Sequence, residues 1–142
     1  MIIIKNGNVF LDGKIQKCDV SFSQTITGIG EFDGEDYIDG EGKFVFPGFV
    51  DIHTHGGGGG DFMDAEEDSF DKALHYHAEN GTTSLLATSV TAPVEDIEKM
   101  LADMMKEELN DARVIGAHVE GPYISLKNKG AQHERHALFK DR

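Results

Sequence analysis

The sequence predicts an α/β protein: a short all-β segment up to residue 46, then alternating strands and helices from Pro47 onward. Three observations predict it. Residues 2–46 hold short apolar runs punctuated by Asn6-Gly7, Asp12-Gly13 and Asp39-Gly40, dipeptides that favour hairpin turns because they tolerate positive φ. After Pro47-Gly48, apolar and β-branched runs alternate with stretches whose apolar residues recur at helical spacing. Hydrophobic content of 39% against 27% charged residues is that of a soluble, folded chain and excludes disorder.

In the first segment the predicted strands are Ile2-Ile3-Ile4, Val9-Phe10, Cys18–Phe22 and Phe44-Val45-Phe46. Phe49 to His55 is the first strand of the second segment. Asp64-Ala65-Glu66-Glu67 offers a side-chain oxygen with an acid three residues later, the signature of a helix start. Phe70, Leu74 and His77 lie along one face of that helix, and Gly81 stops it. Thr82 to Val90 is the second strand. Pro93 opens the next helix as its first residue, where a missing N–H costs nothing, and Glu95 and Asp96 complement the helix dipole. Its apolar stripe is Val94, Ile97, Leu101, Met104 and Met105. Methionines 100, 104 and 105 are read as core filler. Arg113 to Glu120 is the third strand, with Gly116, His118 and Glu120 on one face and Ile115, Ala117 and Val119 on the opposite, apolar one.

Strands alternating with helices of this length build βαβ units and a parallel sheet. Chemistry in such folds gathers at the carboxyl ends of the strands. An eight-stranded α/β barrel takes roughly 200–250 residues. Residues 47–142 supply about three βα units, so the chain reads as the front part of a longer protein.

The formal charge of −13 offers no basic patch for phosphates and excludes nucleic acid as a partner. The single cysteine, Cys18, has no internal partner, which fits a reducing compartment. Met1-Ile2-Ile3-Ile4 runs at once into Lys5 and is too short for a signal core or a membrane span. The expected location is the cytoplasm, with no membrane partner.

Asp51-Ile52-His53-Thr54-His55-Gly56-Gly57 is the most informative stretch. Side chains two apart on a strand share a face, so His53 and His55 converge. Two neutral imidazoles with glycines leaving room suit a divalent metal with an open coordination position. The alternative is a pair of strand-end histidines facing solvent. Glu120, at the end of the third strand, is a candidate oxygen ligand or a bridge between two metals. Alone it would read as a solvated acid before the Gly121-Pro122 turn. His118 either hydrogen-bonds near the metal or packs as a satisfied histidine, and Asp51 orients ligands. Gly56 to Gly60 lacks the Gly-Lys-Ser/Thr ending of a phosphate loop. It permits close backbone approach to a ligand or forms a mobile loop. His75 and His77 are structural by this reading, and His133 and His136 lie exposed in a polar loop.

Pro47-Gly48-Phe49-Val50-Asp51-Ile52-His53-Thr54-His55-Gly56 resembles the first barrel strand of the amidohydrolase superfamily. A finer resemblance rests on His118-Val119-Glu120-Gly121-Pro122-Tyr123, Asn128-Lys129-Gly130-Ala131-Gln132 and Gly59-Gly60-Asp61-Phe62-Met63-Asp64. Together these are similar to the N-acetylglucosamine-6-phosphate deacetylases. The resemblance implies a metal-dependent (β/α)8 barrel with a small β-sandwich built from both chain ends, usually as a homodimer. Residues 1–46 would then be the N-terminal part of the sandwich, and 47–142 the first strands and helices of an incomplete TIM-type barrel.

The implied reaction cleaves the acetamide of N-acetylglucosamine 6-phosphate to glucosamine 6-phosphate and acetate. The implied cofactor is a divalent metal, zinc or iron, as one or two ions. Carried over, Glu120 is the metal ligand and His53 and His55 hold a further metal, a pair that some members lack. Ala131 matches the position whose backbone contacts the sugar. The family's two later metal-binding histidines and its catalytic aspartate lie beyond Arg142, so no catalytic residue is expected within residues 1–142. Two other readings stay open. One is a dihydroorotase-like cyclic amidase, whose bridging lysine on a later strand sits poorly with Glu120. The other is a non-catalytic metal-binding fragment that pairs with a partner through its strand edges.

Overall fold

Asp12 and Gly13 both take positive φ, 49° and 78°, the requirement of the two-residue turn that matches strand twist. They join β1 (Ile2–Leu11) to β2 (Lys14–Phe22), antiparallel with Leu11 opposite Lys14. The computed structural model describes residues 1–142 except 65, 67, 106–110 and 139–142. The chain divides into two compact units, Met1–Pro47 and Gly48–Arg142.

The first unit is a five-stranded sheet in the order β3-β2-β1-β4, with β5 also paired to β1. Here β3 is Ile26–Gly30, β4 Ile38–Asp39 and β5 Phe44–Val45. Asn6-Gly7 is not the predicted hairpin turn. It lies inside β1, where Asn6 at φ 59° makes a bulge between Ile4 and Gly7. The Asn6 N–H, turned out of the ladder, donates to Asp19 Oδ1 at 2.9 Å, and the Phe32 N–H donates to Asp19 Oδ2 at 3.1 Å. Those two donors hold the Asp19 carboxyl below its ordinary pKa. Asp39-Gly40 closes no hairpin either, since β4 and β5 both run parallel to β1 and Gly40 N–H donates to the Lys5 carbonyl.

The second unit is a parallel three-stranded sheet in the order β10-β9-β6: β6 is Phe49–Thr54, β9 Thr82–Thr88 and β10 Arg113–His118. Helices α1 (Ser69–Glu79) and α2 (Val94–Met104) are the crossovers. The core holds Phe62, Phe70, Ala73, Leu74, Leu85, Ala87, Met100 and Ala112, with Leu101, Met104, Val114 and Ala117 packed against it.

Several local expectations shift. Helix α1 begins at Ser69, and its N-cap residue Asp68 makes no side-chain cap bond. Asp64 instead accepts from Ser69 Oγ at 3.3 Å; Ala65 and Glu67 of the predicted start lie outside the described residues. Pro93 is the N-cap of α2 and not its first helical residue: its ψ of 145° is extended, and its carbonyl accepts from Asp96 and Ile97. Val94 and Met105 of the predicted stripe are exposed, while Met100 is buried. In β10 the register slips between Val114 and Gly116. Ile115 is the extra residue, so Val114 and Ala117 face the core while Ile115 and Val119 are exposed.

The glycine run is not a loose loop. It folds into a small antiparallel pair, β7 (Gly56–Gly57) with β8 (Gly60–Asp61), pressed against α1. A Cβ on Gly60 would collide with the Ser69 carbonyl, and one on Gly57 with the Tyr76 ring. The glycines let a backbone lie directly on a helix.

At the far end of α1, His75 Nδ1 lies 3.3 Å from Asp111 Oδ1 and Nε2 3.3 Å from Glu79 Oε1. The Asp111 hydrogen bond first, then the Glu79 charge, raise the His75 pKa above 6.5. A raised folded-state value adds stability that is fully present below the unfolded pKa and is lost as pH rises through the folded one. Asp111→Asn is therefore expected to lower the His75 pKa, followed by NMR titration of its ring protons, and to shrink the acid-side stabilisation. An unaltered His75 titration in that variant would disprove the coupling. No helix of the described residues is long and apolar enough to cross a membrane.

Candidate metal centre

The carboxyl ends of the three parallel strands meet at one place. His53 is in β6, His55 just beyond it, and Glu120 two residues past the end of β10. Glu120 Oε2 lies 3.1 Å from His53 Nε2 and 3.4 Å from His55 Nε2. One donor atom from each of the three falls within 4.8 Å of the others.

The hydrogen bonding around them decides what these atoms present. His55 Nδ1 is 3.2 Å from the Thr88 carbonyl, which only accepts, so Nδ1 carries a proton, and in the neutral ring Nε2 then keeps its lone pair. A bare imidazole nitrogen facing a carboxylate oxygen at this range repels it unless a positive charge sits among them. Donors on a tetrahedral zinc with bonds of about 2.0–2.2 Å stand about 3.3–3.6 Å apart. The donor types, and the two histidine–carboxylate distances of 3.1 and 3.4 Å, suit a divalent cation.

Side-chain oxygens that accept from backbone N–H groups hold the ends of the strands in place. Thr54 N–H donates to Thr88 Oγ1 at 3.1 Å, and Asp51 Oδ1 accepts from the His53 N–H at 3.0 Å. Asp51 thus braces its own strand end, without touching a histidine ring by any hydrogen bond shown. His77 Nε2 lies 3.1 Å from both Thr54 Oγ1 and the Gly56 carbonyl, tying α1 to the segment that carries His55. The Phe62 N–H donates to the His55 carbonyl at 2.9 Å. The ring of His118 packs against that of His53, with centroids 4.5 Å apart.

Glu120 is held from β9. Its N–H donates to Ser89 Oγ at 3.0 Å, and Ser89 N–H donates to the His118 carbonyl. Gln132 Nε2 donates to Glu120 Oε1 at 2.7 Å, while Gln132 Oε1 accepts from the Thr91 N–H at 2.7 Å. Gly121 follows with φ 85°, and a Cβ there would collide with Thr91 Oγ1, so glycine is required. Thr88, Ser89, Thr91 and Gln132 were not assigned roles from sequence. The one available signal was the cluster of hydroxyl residues at the carboxyl end of the middle strand.

Ala131 is exposed, beside Gln132. His133 is exposed and His136 half-buried, with rings 5.7 Å apart. The Arg135 Nε–H donates to His136 Nε2 at 2.7 Å. Neither histidine is in the cluster formed by His53, His55 and Glu120.

A sequence profile of the amidohydrolase family matches residues 44–141. An N-acetylglucosamine-6-phosphate deacetylase of Vibrio furnissii is 41% identical over 113 residues, covering 75% of this chain and 28% of that protein. An N-acetylgalactosamine-6-phosphate deacetylase of Escherichia coli O157:H7 is 38% identical over 94 residues, covering 64% of this chain and 25% of its own length. Among solved structures, the Thermotoga maritima N-acetylglucosamine-6-phosphate deacetylase superposes with a TM-score of 0.80 at 27% identity. That match covers 98% of this chain and 37% of the other. The chain thus spans about a quarter to two fifths of the length of these relatives.

Proposed function

The chain belongs to the amidohydrolase family, and from that premise we propose that it supplies the metal-binding strand ends of a deacetylase acting on N-acetylated amino-sugar 6-phosphates. The observation that carries this is the convergence of His53 Nε2, His55 Nε2 and Glu120 Oε2 on one place. N-acetylglucosamine 6-phosphate is the proposed substrate, with glucosamine 6-phosphate and acetate as products.

Glu120 is proposed as the main protein ligand and the histidine pair as ligands to the same or a second ion, zinc or iron. When bound, a divalent cation supplies Lewis acidity for amide hydrolysis near neutral pH. The residues of the chain do the rest of the local work. Thr88 sets the His55 tautomer, and His118 backs the His53 ring. The Ala131 backbone, in the turn that leads to Gln132, is proposed to meet the sugar. The (β/α)8 barrel, the β-sandwich, the homodimer and a cytoplasmic setting belong to the same proposal.

Acetate release from N-acetylglucosamine 6-phosphate, measured on a protein that includes this chain, is the direct test. Activity should vanish on chelation, return with zinc or iron, and fall for the unphosphorylated sugar. For residues 1–142 by themselves we propose weak metal binding and no acetate release, the family's general acid–base aspartate, a group worth roughly 10²–10⁴-fold, being proposed to lie outside them. Hydrolysis indifferent to chelators would refute the metal centre. Preference for the galacto epimer would keep the chemistry and move the substrate.

A further inference from the structure

We infer that Gln132 is a positioning residue for Glu120, holding its carboxylate so that one oxygen faces the histidine pair. The inference rests on the metal-centre reading and adds to it a residue that touches neither histidine by any bond shown. Its side chain bridges two fixed points, donating to Glu120 Oε1 and accepting from the Thr91 N–H, both at 2.7 Å. The amide has only one workable orientation, because a carboxylate only accepts and a backbone N–H only donates. Thr91 lies three residues past the end of β9, the middle strand of the sheet, and is 3% exposed. Through Gln132, the rotation of the Glu120 carboxylate is therefore tied to the buried segment that leaves the middle strand.

The consequence is a division of labour between the two oxygens. Oε1 is occupied by the Gln132 amide, and Oε2 is left toward His53 Nε2 and His55 Nε2. The donor is neutral, so it orients the carboxylate without cancelling its charge. A lysine or arginine there would compete with the cation.

The test measures Zn2+ and Cu2+ affinity by chelator competition for the wild-type chain, Gln132→Leu, Glu120→Gln and the double variant. Cu2+, the tightest of the first-row divalent ions, keeps a two-histidine site measurable without Glu120. Partners that orient a metal ligand typically contribute 10–100-fold to affinity. Gln132→Leu is expected to lose that much in the wild-type background and under about 2-fold when Glu120 is already glutamine, because residues acting through one another are not additive. An undiminished affinity in Gln132→Leu overturns the inference. So does an equal loss in both backgrounds, which marks a general disturbance of the loop. If Glu120→Gln itself binds metal like wild type, the metal-centre reading fails, a result separate from the other two.

Discussion

Glu120→Gln is expected to strip the metal and to lower deacetylation by more than about 100-fold. The bound is physical: groups that merely orient a ligand cost up to about 100-fold when removed, and Glu120 is itself a proposed ligand. Glutamine preserves the shape but removes the negative charge that faces both histidines at 3.1 and 3.4 Å. Its amide oxygen can still accept from Gln132 Nε2, which leaves the NH2 toward the histidines, where it offers a cation no lone pair. Metal content after dialysis against a weak chelator, and acetate release from N-acetylglucosamine 6-phosphate by a protein that includes this chain, read the two effects. A variant that keeps its ion and its turnover would remove Glu120 from the site.

The second large effect is on stability. Phe62→Ala should cost about 3–5 kcal/mol, the usual range for deleting a buried aromatic ring. Phe62 is 1% exposed, packs its ring tilted against Phe70 with centroids 4.9 Å apart, and closes the core directly after the glycine hairpin. Whole-domain stabilities are only about 5–15 kcal/mol, so one such cavity removes a large part of the total. The loss should reach the site too, because the Phe62 N–H anchors the His55 carbonyl. Urea denaturation of Phe62→Ala beside Met105→Ala gives the contrast. Met105 is 79% exposed, and its replacement should stay within about 0.5 kcal/mol. Equal midpoints for the two variants would mean that Phe62 does not seal the core.

The candidate ligands were legible because their signal is local and chemical. His-x-His after an apolar run, and an acid at the end of another, each read alone as solvent-facing groups as readily as ligands, and it is their joint occurrence at strand ends that marked them. Helix α1 ran up to the Gly81 stop, but its start was misplaced: Asp64 lies ahead of the helix and accepts from Oγ of Ser69, its first residue. Asn6-Gly7 was misread for a related reason. A dipeptide that tolerates positive φ serves a bulge as well as a turn, and only the partner strand distinguishes them. The slip at Ile115 reversed the inward and outward sides of β10 before it, which no alternation pattern reveals in advance.

Residue type and order alone determined the α/β class, the β-rich opening segment and the three side chains able to hold a cation, because periodicity and ligand chemistry are properties of short stretches. Tertiary structure alone decided that the glycine run is packing against α1, that Thr88 sets the His55 tautomer, and that Gln132 reaches back to Glu120. Each of those depends on two segments being brought within hydrogen-bond or van der Waals range. That proximity is a product of the folded sheet and is written in neither segment by itself.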